Sequence, residues 1–230
     1  MALVKISSPK LYIIAERGVF RCDEEWLGML QVVAECLTQL EGCALQVRAQ
    51  GYSTEFRSKQ MRLARESLES FMNSGLKALA NTSIEEATEL EFSGVHLSRQ
   101  NTPSSPILKK SIPSKFLVGA STHDLESIQK AAYIGADFVL LGPAFEPLSK
   151  SKSPIGLELF SNLSRQAPLP VLALGGITPK RVAPCIHAGA FGVAMISSVM
   201  KASNPKRVIQ NLHQEIEHAS HTKRSSRAYI

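Results

Sequence analysis

Two short stretches place residues with chemical potential at the ends of apolar runs. The first is VLALGGITPKRV, residues 171–182, in which four apolar residues run directly into Gly175 and Gly176. Glycine has no Cβ, so an anion can approach its backbone N–H closely. The stretch then restarts as a helix, with Thr178 as a candidate N-cap and Pro179 suited to the first helical position. A helix start adds unpaired N–H groups and the positive end of a dipole. The second stretch, GVAMISS, brings Ser197 and Ser198 to the end of the next apolar run. Together the two read as a phosphate cup made mostly of main chain. A third stretch, STHDLE, places His123 just past another apolar run, in what reads as the first turn of the following helix. Histidine titrates near neutrality and suits a proton-transfer role. The helix dipole disfavours an imidazolium there and keeps the ring neutral. Ser121 or Thr122 is the candidate cap of that helix.

The elements that must position these residues alternate regularly. Candidate strands are LYIIA (11–15), ALQVRA (44–49), LKALAN (76–81), GVHLS (94–98), FLVGAS (116–121), FVLLGP (138–143), VLALGG (171–176) and GVAMIS (192–197). Most are followed by a helical segment, and Gly75, Gly135 and Gly189 stop helices just before the next strand. The Pro- and Ser-rich stretch RQNTPSSPILKKSIP leaves room for only a short helix after the fourth strand. Eight strands alternating with helices predict a single-domain α/β protein, a TIM (β/α)8 barrel over residues 1–218. A doubly wound open sheet is the runner-up, but no glycine-rich loop follows an early strand. Residues 219–230 read as a basic, frayed tail, with Lys223, Arg224 and Arg227. In a TIM barrel the active site gathers at the strand C-termini, and phosphate often sits beside strands 7 and 8. That is where both the glycine pair and the serine pair fall.

Composition narrows the function classes. The chain has 230 residues, 44% of them hydrophobic, and a net charge of +6. No apolar run approaches the ~20 residues of a membrane span, and the N-terminal stretch lacks the cleavage pattern of a signal peptide. A soluble, cytoplasmic protein is expected, with no membrane partner. Cys22, Cys36, Cys43 and Cys185 form no CxxC pair, so reduced thiols and no resident metal are expected. Few aromatics and no stacking motif argue against a nucleic-acid partner. The modest positive charge suits an anionic substrate.

The pieces GASTHDLESIQKA, YIGADFVLLGPAFEP and PVLALGGITPKRVAPCIHAGAFGVAMISSVM resemble the thiamine-phosphate synthase and thiazole tautomerase superfamily. The similarity is dense from about 117 to 200 and continues more weakly upstream. The resemblance implies a TIM barrel and a small-molecule thiazole phosphate as ligand, with Gly176 and Ser197 on its phosphate. The family runs two reactions. The synthase joins a pyrimidine pyrophosphate to a thiazole phosphate using magnesium. The tautomerase moves a proton within a thiazole carboxylate phosphate and needs no metal.

The first half of the chain discriminates between them. The synthase pattern resembles Gln-x-Arg-x-Lys on the second strand; this chain has Gln46 and Arg48, then Gln50. The family's Asn-Asp on the third strand is Asn81-Thr82 here, and its aspartate after GVHL is Asn101. Lys150 matches the family's pyrophosphate-side lysine. Magnesium is commonly held by one or two carboxylates plus substrate phosphate, so the neutral positions favour the tautomerase. In that reading His123 is the general acid/base, Arg48 pairs with the substrate carboxylate, and Asn81 hydrogen-bonds the ring or carboxylate. A divergent synthase, retaining magnesium, is the alternative, and a non-catalytic phosphate-binding barrel the second. An aldolase is disfavoured because the sixth strand carries no Schiff-base lysine. His96 and His187 read as structural, Phe145 as a pocket wall, loop 146–153 as a candidate lid, and a homo-oligomer is possible.

Overall fold

The computed structural model describes residues 8–107, 111–146 and 153–227. Eight parallel strands close on themselves: β1 (Leu11–Glu16), β2 (Cys43–Arg48), β3 (Ala78–Ala80), β4 (Gly94–Leu97), β5 (Leu117–Thr122), β6 (Phe138–Leu141), β7 (Val171–Leu174) and β8 (Gly192–Met195). β8 returns to β1 through the register Leu11–Val193. The helices are α1 (Asp23–Leu37), α2 (Thr54–Asn73), α3 (Ile84–Glu89), α4 (Leu125–Ile134), α5 (Gly156–Gln166), α6 (Pro179–His187), α7 (Ser197–Met200) and α8 (Pro205–Arg227). This is the expected TIM barrel. Each expected strand is present, with ends that differ by one or two residues.

The period-two alternation of a strand decides what faces the barrel axis. One set of residues, including Tyr12, Leu79, Leu117, Phe138 and Leu172, fills the interior as a small cluster. The alternate set faces the helices and joins Trp26, Phe160 and Ile216 in a larger shell. Tyr12 and Phe138 meet edge to face at 5.3 Å and close the floor of the barrel. Gly119 makes this packing possible, since a Cβ there would lie 2.5 Å from the Phe138 ring and 2.8 Å from His96 Nδ1. Continuing the same alternation toward the strand C-termini turns Gln46, Arg48, Asn81, His96 and Ser121 inward.

Three local expectations change. α2 begins at Thr54, four residues before the helical run SKQMRLARESLESFMNSG (58–75) expected from the sequence, because the Ser53 side chain accepts from Phe56 N and caps it. Neither Ser121 nor Thr122 caps α4; Asp124 does, in a reciprocal capping box with Ser127. His123 therefore precedes the cap and is not in the first helical turn. The segment expected as a tail from 219 continues α8 to Arg227, because Ile209, Leu212, Ile216 and Ala219 anchor that helix in the core. Residues 228–230 lie outside the described residues. No helix among the described residues is long and apolar enough to cross a membrane. All four cysteines are free thiols.

Candidate functional site

At the C-terminal mouth of the barrel lies a cavity of about 650 Å³. Gln46, Arg48, Asn81, His123, Gly175, Gly176, Ser197 and Ser198 all line it. One pocket therefore unites every expected site residue except Lys150, which lies outside the described residues. A smaller polar cleft of about 390 Å³ adjoins it and shares Gln50, Asn81, Ser98 and Gln100 with it.

The β7–β8 side of the mouth is built from backbone. Gly175 and Gly176 hold φ of 97° and 63°, the left-handed region. A Cβ at Gly176 would lie 2.7 Å from Glu146 O and 2.8 Å from Phe145 Cβ. These glycines therefore let the β6 loop pack against the turn as well as bending the chain. Thr178 occupies the N-cap of α6, with Pro179 as its first residue, but its side chain makes no capping bond. The amides of Gly176, Ser197 and Ser198 donate to no carbonyl among the described residues. Ser198 Oγ donates to Ile177 O at 2.6 Å, bracing the two loops together. Arg181 Nη1 donates to Gly176 O at 2.7 Å while its guanidinium stacks 4.6 Å from the Phe145 ring. Phe145 thus supports the cradle from behind. The result is a braced set of free amides, chemistry suited to a phosphate.

His123 stands between the two sides. Its Nδ1 lies 2.9 Å from Gly142 O. A carbonyl only accepts, so Nδ1 carries a hydrogen and Nε2 is the ring nitrogen left to exchange a proton with a ligand. The backbone N–H of His123 donates to Ser127 Oγ at 3.1 Å, tying the residue to the α4 cap.

The β2–β4 side is built from side chains. Arg48 Nη1 sits 2.9 Å from Glu16 Oε2. Glu16 Oε1 also accepts from the amides of Gly18 and Gln50, each at 3.2 Å. Arg48 therefore reaches the cavity with its charge already balanced. Asn81 Nδ2 donates to His96 O at 2.9 Å, which fixes its amide. Gln46 Nε2 donates to Tyr12 Oη at 3.3 Å, Tyr12 Oη lies 3.5 Å from His96 Nδ1, and His96 Nε2 lies 3.0 Å from Ser121 Oγ. Burial pushes the Tyr12 phenol up, so it keeps its proton. Burial, then the positive charge of Arg48, pulls His96 down to about 3. His96 is thus a neutral ring, as packed as expected at 1% exposure, yet it forms part of the cavity floor. His187 ends α6 and does not line the cavity.

Magnesium fits these residues poorly. Thr82 is buried and donates its hydroxyl to Glu86 Oε2. Asn101 offers a neutral amide to the smaller cleft. Among the described residues, no group of three or more His, Cys, Asp or Glu is placed to hold a metal ion. Neutral amides and hydroxyls are weak partners for a cation that prefers anionic oxygens.

Sequence reasoning misses three participants. Ser121 reads as a cap, although strand alternation from Leu117 points it inward. Arg181 and Glu16 carry no local signal, because helix packing brings Arg181 to Gly176 O and the β1–β2 register sets Glu16 beside Arg48.

Comparison with known proteins is consistent with this geometry. The family model described as thiamine monophosphate synthase matches residues 11–199. A relative from Aquifex aeolicus is 40% identical over 124 residues, 54% of this chain and 66% of its own. A thiamine-phosphate synthase from Roseiflexus sp. is 34% identical over 149 residues, 64% of this chain and 63% of that protein. One from Bacillus velezensis is 31% identical over 145 residues, 62% and 64% respectively. The chain thus spans a little less than two thirds of the length of the curated relatives it matches. Among solved structures, a thiamine phosphate pyrophosphorylase from Pyrococcus furiosus superposes with a TM-score of 0.70 at 24% identity, covering 93% of this chain and 98% of that one. At that identity the likeness speaks for the fold. With the family model matching most of its length, the chain belongs to the thiamine monophosphate synthase family.

Proposed function

We propose that this chain acts on a thiazole phosphate in thiamine biosynthesis, as a metal-independent isomerase of the thiazole tautomerase type. The observation that carries the reading is that no Asp or Glu is among the described residues lining either cavity at the mouth: Gln50 and Asn101 are neutral amides there, and Thr82 is buried with its hydroxyl on Glu86. The free amides of Gly176 and Ser197 hold the phosphate as a handle, braced by Ser198. His123 Nε2 takes a proton from one ring position, and the resulting imidazolium returns it at another, with no net change in charge or mass. Gly142 O holds the ring through Nδ1–H and stabilises the imidazolium while it exists. Asn81 and Gln46 hydrogen-bond the ring plane.

The relatives support a second reading. The Roseiflexus and Bacillus proteins are named thiamine-phosphate synthases, and on names alone the transferase is the better-supported reaction. In it, a pyrimidine pyrophosphate and a thiazole phosphate give thiamine phosphate and pyrophosphate. Magnesium belongs to this reading only, and Lys150 would serve the pyrophosphate. A barrel that binds the phosphate without turnover is the remaining case.

One experiment separates the three. Both substrate sets are assayed side by side on the same protein, in magnesium and in EDTA. The isomerase reading expects aromatisation of the thiazole carboxylate phosphate, followed by ultraviolet absorbance and proton NMR, at equal rates in both buffers. Thiamine phosphate formation that requires magnesium would establish the transferase instead. Saturable binding with neither product would leave the binder.

A further inference from the structure

The cleft beside the main cavity holds a cation that forms no ion pair among the described residues. Arg57, in the first turn of α2, lines this cleft. Its Nε is buried from solvent and finds no hydrogen-bond partner. The side chain as a whole is half-buried, but a donor atom shielded from water without an acceptor is costly. Gln50, Ser98, Gln100 and Asn101 line the same cleft, all neutral groups that can donate or accept. No Asp or Glu is among the described residues lining the cleft. The contrast with Arg48 is direct. Arg48, on β2 itself, is already balanced by Glu16. Tyr52, stacked on Phe56 at 4.5 Å between ring centroids, flanks the opening.

We infer that Arg57 forms a metal-free oxyanion subsite, which takes a second anionic group of a ligand whose phosphate rests on the Gly176 and Ser197 amides. The planar guanidinium fork suits a carboxylate or a phosphoryl group equally in kind. The neutral amide at Asn101 and the charge on Arg57, both lining the cleft, are then one adaptation. With Glu16 held on Arg48 and no Asp or Glu among the described residues lining either cavity, an incoming anion needs no divalent ion to screen it. The α2 start brings this positive charge to the cleft seven residues after Gln50, where the family pattern has lysine. The shared residues of the two cavities let one ligand reach both sites. The inference rests on the isomerase reading for the carboxylate as occupant, while the subsite itself does not.

The test is calorimetric titration of the full chain and of R57Q and R57K in EDTA, with three probes: a thiazole phosphate lacking a carboxylate, its carboxylate-bearing counterpart, and inorganic pyrophosphate. R57Q is expected to weaken the carboxylate-bearing ligand about ten- to hundred-fold, the scale of a lost charge-assisted pair. The carboxylate-free ligand should change less than about twofold, and R57K should recover part of the loss. An Arg57-dependent loss for pyrophosphate alone would assign the same subsite to a phosphoryl group. Equal affinities of wild type and R57Q for all three probes would overturn the inference, as would no binding of any probe by the wild type. Circular dichroism of R57Q and R57K checks that both fold. Turnover with Arg57-independent binding sinks the subsite and keeps the isomerase. Arg57-dependent pyrophosphate binding without proton-shift turnover keeps the subsite and sinks the isomerase.

Discussion

The two sides of the barrel mouth solve different problems with different materials. The β7–β8 side presents main-chain amides, braced by Ser198 and Arg181, and any residue types that permit the backbone path would serve it. The β2–β4 side presents side chains, and their identity decides what it can do. Gln50, Thr82 and Asn101 need only one change each to become charged. A family can therefore keep its ligand handle unaltered while the reaction at the other rim changes. The comparison also places His123 at the seam, held to the β6 backbone and reaching toward both.

The sharpest way to break this comparison is His123→Ala. Losing the acid/base group should lower kcat for the proton shift about 10²- to 10⁴-fold. Affinity for the thiazole phosphate, read by calorimetry, should stay within about threefold. An affinity loss with kcat intact would move His123 to the binding machinery.

Gly176→Ala attacks the backbone side. A methyl group there meets Glu146 O and Phe145, and the φ of 63° strains an alanine. A cost of about 1–3 kcal/mol is expected in urea unfolding. The affinity advantage of a thiazole phosphate over its unphosphorylated alcohol should shrink at the same time. If the advantage persists, the cradle is not the phosphate site.

His96 tests the buried side-chain network. Its folded pKa, about 3, lies below the usual imidazole value. Below about pH 6.5 the unfolded chain binds this proton while the folded chain does not, so stability is full above that pH and falls as the pH drops toward 3. Between pH 7 and 4.5 the loss should be on the order of 2 kcal/mol. His96→Gln, compared by denaturant melts at both values, should flatten this dependence. An unchanged slope would mean that other groups carry it.

The smallest effect belongs to Asp124→Ala. Removing the α4 cap should cost about 1 kcal/mol and leave the kcat of the proton shift within about twofold. A large kcat loss would show that the cap orients His123.

The barrel was readable in the sequence because strand and glycine signals are local. Each apolar run of four or five residues ends in a turn, and Gly75, Gly135 and Gly189 all adopt the left-handed conformation expected of helix stops. The phosphate cradle was readable for the same reason, since glycine and serine at strand ends act through their own backbone. What stayed hidden depends on partners distant in the chain. Glu16 neutralises Arg48 across β1 and β2, and Arg181 reaches back to Gly176 from α6. Arg57 gained meaning only when Ser53 started α2 early and turned that residue toward the cleft. The length of α8 depended on tertiary packing, which the charged composition of its last turns conceals.

The plug of Tyr12, Phe138 and His96 has a kinetic consequence. With one end of the barrel stoppered, molecules come and go by a single doorway. In any reaction joining two compounds, the deeper-lying one must arrive before the other and wait for its departure. Product-inhibition patterns would then show strict ordering if the barrel runs the two-substrate transferase reaction.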